Sequence, residues 1–452
     1  MLQLLSDGRG GDVLAPALPV VFCHAALLVL FDLGRWPWAT IGLLAVAFAA
    51  WGAAARRLEN RPVPVVAILI VTAVLRLLLL PVPPTLSDDV LRYVWDGRVV
   101  TAGFNPYLLA PEAEELGELR DERWRRMPHK EVPTVYPPLA LAGFTVASWT
   151  PSPILGWKIL LLFADLAGCG LLVILARRLG QPSGRAIWYA WCPLVSLETA
   201  AMGHVDALMV TFMLVTAWAL MPSIRRSALA GAAAACGVLA KLVPLVALPL
   251  WTRASPQRVL FAATAAAVLV AAVGPAAVAT GVPPGLVTYG VSWEFNGPLY
   301  EPLWRALDAP FVVDGVKSGI DALKGAVGHH EALNRLYPFV YPQFLAKLIL
   351  AGLFALLFLR ILVRGGPPVT TTGRLLGAVV LCAATVYPWY LLWVLPWAAL
   401  ARQPAWLTLA ALAPLSYLPQ HADGVALFPW VWGLIWIPFG LLLIRHPTWS
   451  TD

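Results

Sequence analysis

Apolar runs long enough to cross a bilayer recur along this chain, with short clusters of arginine between them. No other feature restricts the fold as strongly. A spanning helix needs about 20 mainly apolar residues. Runs of that kind lie at 13–33, 38–55, 64–80, 154–175, 205–221, 259–279, 339–363, 375–386, 406–417 and 425–444, and shorter pieces at 138–149, 186–200, 228–250 and 390–401. Hydrophobic residues make up 60% of the chain and charged ones 13%, against about 25% charged in a soluble domain. That much apolar surface exceeds what one water-facing fold can bury, so the bilayer must solvate the rest. The pattern predicts an all-α polytopic membrane protein with roughly 11 to 13 crossings, the shorter pieces being re-entrant or half-crossing.

The net charge of +7 does not indicate a nucleic-acid partner, because the arginines sit between apolar runs, as loop cations do in membrane proteins. The clusters are Arg56/Arg57/Arg61, Arg177/Arg178/Arg185, Arg225/Arg226, Arg253/Arg258, Arg360/Arg364/Arg374, Arg402 and Arg445. All can lie on the cytoplasmic side if the N-terminus is inside, if 138–149 does not cross alone, and if 228–250 dips in and returns. The loops 81–136 and 281–337 then face outside. The 21 tryptophans gather near segment ends, where interfacial aromatic belts form. The five cysteines show no metal-type spacing. The first apolar run reads as a retained helix, not a cleaved signal. Residues 112–131 read as a solvated surface helix.

The first long loop carries the densest polar motif, from Ser87 to Glu112. Ser87 suits a helix N-cap, with Asp88 and Asp89 in the first turn, where carboxylates are favoured. Asp88, Arg92 and Asp96 share one face, and Asp89, Tyr93 and Asp96 another. An Arg92–Asp96 ladder is one reading of that face, a binding role the other. Two adjacent carboxylates at the lip of an apolar helix are costly there, which favours a general base or a metal ligand. Asn105-Pro106-Tyr107 turns the chain. Gly203-His204-Val205-Asp206 begins a helix, and its His and Asp, two residues apart, do not face each other as a ligand pair would. Lys241 lies deep in an apolar run, either snorkelling or matching an anion. Arg76 reads as snorkelling outward. Asp32, Asp165, Glu198 and His24 read as interhelical hydrogen-bonding groups.

The run Asp88-Asp89-Val90-Leu91-Arg92-Tyr93-Val94-Trp95-Asp96-Gly97-Arg98, then Ala102-Gly103-Phe104-Asn105-Pro106-Tyr107, resembles the first outer loop of bacterial GT-C glycosyltransferases. It is most similar to the polyprenol-phosphate-mannose-dependent group near glycosyltransferase family 87. Val132–Pro138, Gly203–Asp206, Phe295–Tyr300 and Tyr387–Tyr390 resemble that group's later signatures, in the same order. The resemblance implies one GT-C-type transmembrane domain over 1–452, with loop 81–136 catalytic and loop 281–337 a second outer loop. It implies transfer of a sugar, mannose foremost, from a polyprenyl-phosphate donor to an unnamed acceptor hydroxyl outside the bacterial cytoplasmic membrane, with inversion. An aspartate of the first loop would be the base, Asp88 first and Asp89 its rival.

For the donor phosphate the cations are Lys241, Arg92 and Arg98, with Arg305 and Lys347 in reserve. Asp96, Asn105, Tyr107, Tyr136, His204, Asp206, Trp293, Asn296, Tyr300, Trp389 and Tyr390 complete the expected substrate-binding set. Membrane lipids are the other expected partner. No cofactor is certain, and a divalent cation stays open. The competing readings are a transporter or flippase, which predicts internal repeats that the sequence lacks, and a non-catalytic scaffold, which has no use for the paired aspartates.

Overall fold

The computed structural model describes residues 9–281, 283–327, 334–447 and 449. Helices dominate, and the only β contacts among the described residues are isolated bridges from Phe295 and Asn296 to Thr385. In chain order the main helices are α1 (Arg9–Leu30), α2 (Pro37–Leu58), α3 (Val65–Leu79), α4 (Asp89–Thr101), α5 (Pro138–Ser148), α6 (Pro153–Arg178), α7 (Asp206–Ala219), α8 (Ser227–Ala240), α9 (Arg258–Thr280), α10 (Pro342–Arg364), α11 (Pro368–Cys382), α12 (Pro404–Leu412) and α13 (Trp432–Arg445). Their ends follow local chemistry. Proline occupies the first turn of α2, α5, α6, α10, α11 and α12, where its missing N–H costs nothing. Arginines close α2, α6, α10 and α13, where they complement the helix dipole.

Five helical segments are long and apolar enough to cross a membrane, and a sixth span is formed if the pair Pro193–Ala201 and Asp206–Ala219, bent by 119°, counts as one. Five shorter apolar helices join them. The 22 residues of α2 rise about 33 Å, enough for the hydrocarbon core. The 11 residues of α5 rise only about 16 Å, so that segment cannot cross alone. Only 11% of the α10 span is buried. Phe22, Val29, Val259 and Ile444 likewise point outward. Apolar surface on that scale is stable only against lipid.

Two sequence expectations change. Arg76 does not snorkel: it is fully buried, and its Nε lies 2.8 Å from Asp165 Oδ2. Its Nη1 donates to Ala190 O at 2.6 Å and to Ser196 Oγ at 2.9 Å. Burial left it no path to water, so a carboxylate on α6 answers it inside the bundle. Residues 112–131 are not one helix but a 3-10 turn, Glu114–Leu119, and a short helix, Glu122–Arg126. Leu116 and Met127 there are buried against Leu91, Trp95 and Val99 of α4, so this stretch packs as well as being solvated. The segment 228–250 is broken at Lys241, whose backbone is extended, before a 3-10 turn and the helix Leu248–Ala254.

Candidate active site

The site is built around the start of α4. That helix is buried on almost every side: Val90 and Tyr93 pack with Phe144 and Trp157, and Leu91, Trp95 and Val99 with Leu116 and Met127. Gly97 permits this, because a Cβ there would stand 2.3 Å from Phe144 O on α5. The N-cap position falls on Asp88, not on Ser87 as expected, and the Asp88 side chain makes no capping bond. Ser87 Oγ accepts from Asp89 N only at 3.4 Å. A helix wedged this tightly holds its first-turn aspartate at a defined place.

Arg92 and Asp96 form the ladder that their spacing allows, Nε to Oδ1 at 2.8 Å. Arg92 Nη1 and Nη2 also donate to His129 O at 3.2 Å and Val132 O at 2.8 Å. Thr134 Oγ1 donates to Asp96 Oδ2 at 2.6 Å. Burial raises the Asp96 carboxyl, and Arg92 and Thr134 pull it back. The pair therefore staples residues 129–134 to α4. Arg98 is held by Asp121 at 2.7 Å and does not line the cavity described next. Asn105 accepts from Tyr107 N at 2.9 Å, and the Tyr107 hydroxyl donates to Tyr136 O at 2.8 Å; this turn braces the loop.

A cavity of about 540 Å3 opens beside the first turn of α4. Asp88, Asp89 and Arg92 line one wall, Lys241 and Tyr136 others, and Tyr289, Trp293, Tyr387, Trp389, Tyr390 and Trp393 supply aromatic surface. Asp88 is the more exposed of the two aspartates, with 48% of its side chain accessible and Arg126 Nη2 at 3.9 Å. Asp89 keeps 36% of its side chain accessible, with Oδ2 3.9 Å from His204 Nε2. That accessible part borders the cavity, so the enclosing protein still desolvates the carboxylate. Its pKa is pushed up to about 6, first by burial, with Asp206 and Asp88 adding to the rise and Lys241 and Tyr93 opposing it.

Lys241 sits at the break after α8, with Nζ 2.7 Å from the buried Asp206 Oδ1. Trp393 Nε1 donates to the same oxygen. The ammonium lies 4.8 Å from the Tyr390 ring centroid and 5.2 Å from that of Trp393, a desolvated cation–π setting. Gly203 precedes His204 with φ +79°, a left-handed turn that glycine adopts freely. His204 is buried. Its Nε2 is 3.1 Å from Ser87 Oγ and its Nδ1 2.9 Å from Glu198 Oε2. That second contact is close, but off the line along which a ring N–H would donate. The imidazole stacks on Trp389 at 3.8 Å and 15°. Trp389 stacks on Tyr387, and Tyr387 on Phe295, so a column of four rings joins the second long loop to the histidine.

Asn296 and Tyr300 stand behind this column and do not line the cavity. Asn296, at φ +55°, accepts from Trp436 Nε1 at 3.0 Å, and Tyr300 is buried against Ala346 and Leu350. Lys347 pairs with Glu294 at 2.8 Å, and Arg305 with Glu301. Sequence reasoning passed over Glu198, Tyr289, Tyr387 and Trp393 as site residues. Glu198 could have been found as an intramembrane carboxylate six residues before a histidine; the aromatic rings carry no such mark. No cluster of three or more His, Cys, Asp or Glu in a metal-holding arrangement occurs among the described residues.

Fold and site together define a polytopic helical membrane protein with a carboxylate-and-lysine cavity where several helices break. The sequence profile of a family described as "Alpha-(1->6)-mannopyranosyltransferase, N-terminal domain" matches residues 28–255, and the chain belongs to that family. The matched part carries Asp89, Glu198, His204, Asp206 and Lys241. A probable alpha-(1->6)-mannopyranosyltransferase of Mycolicibacterium smegmatis is 28% identical over 380 residues, a stretch covering 72% of this chain and 64% of that protein. No solved structure matches.

Proposed function

We propose that this protein transfers a mannose from a polyprenyl-phosphate donor to an acceptor hydroxyl on the extracytoplasmic face, with inversion, using Asp89 as general base. The observation that carries the proposal is the pairing, in one cavity, of a desolvated carboxylate at Asp89 with an ammonium at Lys241. A pKa near 6 leaves Asp89 ionised at neutral pH yet more basic than a solvated carboxylate. In the step, the acceptor oxygen forms a bond to the anomeric carbon as its proton passes to Asp89. The bond from that carbon to the donor's phosphate oxygen breaks on the opposite face. The phosphate departs with the electron pair, and Lys241 offsets the charge that develops there. The aromatic walls suit sugar faces.

The arginine pattern favours the outward orientation: α2 ends in Arg56 and Arg57, and one further apolar helix, α3, separates that end from Asp88 and Asp89 at the start of α4. A lipid-linked donor is supported by a second hollow of about 340 Å3, largely apolar, which shares Gly290, Val379, Ala383 and Ala384 with the first. It runs against Leu350, Ala351 and Phe354 of α10, the helix most exposed to lipid. Asp89 is preferred over Asp88 because it is the more desolvated and has His204 at 3.9 Å, whereas Asp88 is 48% exposed beside Arg126. The family relationship favours mannose as the sugar.

The test is a transfer assay with purified protein and polyprenyl-phosphate mannose. Asp89→Asn is expected to lower turnover about 10²- to 10⁴-fold, and Asp88→Asn by about tenfold at most. Wild-type turnover in a folded Asp89→Asn protein would refute the base. Turnover from a nucleotide sugar with no lipid-linked donor present would refute the donor class.

A further inference from the structure

Behind Asp89 lies a line of buried polar groups that the proposed chemistry does not use. The Tyr417 hydroxyl donates to both oxygens of Glu198, at 2.9 and 3.1 Å. Glu198 Oε2 is 2.9 Å from His204 Nδ1, and both side chains are 0% exposed. On its other edge the imidazole meets Ser87 Oγ at 3.1 Å and Asp89 Oδ2 at 3.9 Å. We propose that Glu198 and His204 are positioning residues for Asp89: a protonated Glu198 holds the imidazole in the tautomer that presents Nε2–H toward Ser87 and the Asp89 carboxylate. This rests on the reading of Asp89 as the base.

Three observations carry it. First, a carboxylate with no exposed surface, served by a single hydroxyl and paired with no Lys or Arg among the described residues, is an expensive anion. Second, the charged groups around His204 are already weighted to the negative: Asp88 and Asp89 from α4 and Asp206 from α7, against Lys241 alone from the end of α8. Tyr93, Tyr136, Tyr289, Tyr387 and Tyr417 are further titratable groups facing Asp89. Another anion at Glu198 would add repulsion, so the proton stays there. Third, Glu198 Oε2 stands 2.9 Å from Nδ1, a distance at which a carboxyl O–H on Glu198 can donate to that nitrogen. With Nδ1 as acceptor the ring proton sits on Nε2. The line from Tyr417 through Glu198 and His204 then consists of donors pointing at Asp89. Trp389, stacked flat on the imidazole, fixes the ring plane.

The experiment measures kcat, donor KM and the acid limb of the pH profile in the full-length protein. His204→Phe keeps the stack on Trp389 and deletes both nitrogens. It is expected to lower kcat about 10- to 100-fold, to leave donor KM within about threefold, and to raise the acid limb by about half to one pH unit. Glu198→Gln retains an uncharged donor toward Nδ1 and is expected to stay within about threefold of wild type, while Glu198→Met follows His204→Phe. A folded His204→Phe protein with unchanged kcat and acid limb overturns the inference. So does Glu198→Gln losing as much as Glu198→Met, which would make Glu198 an anion. If His204→Phe does not fold, the Gln–Met contrast decides alone. An active Asp89→Asn protein would defeat the base assignment itself; an inactive one beside an unaffected His204→Phe protein would defeat only the positioning role.

Discussion

Lys241 has two roles that can be separated. It neutralises the buried Asp206, and it presents a positive charge to the cavity. The pair is at 2.7 Å, with Asp206 fully buried and Lys241 19% exposed. At an effective dielectric of about 20, the gross attraction is about 6 kcal/mol. Removing the cation alone leaves Asp206 with only the Trp393 indole, and the net loss for a broken buried pair is about 3 kcal/mol. Lys241→Met should therefore unfold at lower denaturant in detergent. It should also lose turnover about 10²- to 10³-fold, as for deletion of one group that stabilises developing charge. The acid limb should move as well. Lys241 lowers the Asp89 pKa, which stands at about 6, so removing it raises that pKa. The active ionised form is then lost at higher pH as acid is added. The double variant Lys241→Met/Asp206→Asn deletes the stranded charge and should recover most of the stability while staying inactive. If the double variant transfers mannose at the wild-type rate, Lys241 serves only Asp206 and the cavity needs no cation.

Two further outcomes test the scaffold. Gly97→Ala would drive a methyl to 2.3 Å from Phe144 O; parting α4 from α5 should cost about 1 to 3 kcal/mol and lower activity through displacement of Asp89, both read on purified protein by denaturation and transfer assay. Arg76→Met strands Asp165 in the bundle and should destabilise by about 3 to 5 kcal/mol, with Arg76→Met/Asp165→Leu restoring most of that loss in the same denaturation measurement.

The fold was legible where periodicity and length speak: apolar runs of spanning size became α1, α2, α6 and α10, and the arginines that close α2, α6, α10 and α13 were visible as clusters. Loop 81–136 was legible as a polar motif, and the Arg92–Asp96 spacing gave its ladder. What remained hidden depends on partners far along the chain. Arg76 looks like a snorkelling residue until Asp165, 89 residues away, is placed beside it. Lys241 reads equally as snorkel or anion-binder until Asp206 and the cavity are seen together. Sequence order put Asp88 ahead of Asp89, and the two are told apart only when the helix start sets one beside Arg126 and the other beside His204.

The polar groups at the cavity wall and directly behind it share one structural circumstance. Asp89 opens α4, His204 occupies the break before α7, and Lys241 follows the end of α8. Within hydrocarbon an unbroken helix satisfies its own backbone, whereas a break frees N–H and C=O groups that must find partners. Such breaks are tolerated where the freed groups face protein or a wet cavity, and those same places admit charged side chains at least cost. The bend of 119° between Pro193–Ala201 and α7 puts Glu198 and Asp206 on either side of one turn, and the extended Lys241 backbone returns the chain toward it. The chemistry is gathered where the helices stop because an apolar bundle has few other positions that can hold three carboxylates, an imidazole and an ammonium beside a sugar-sized space.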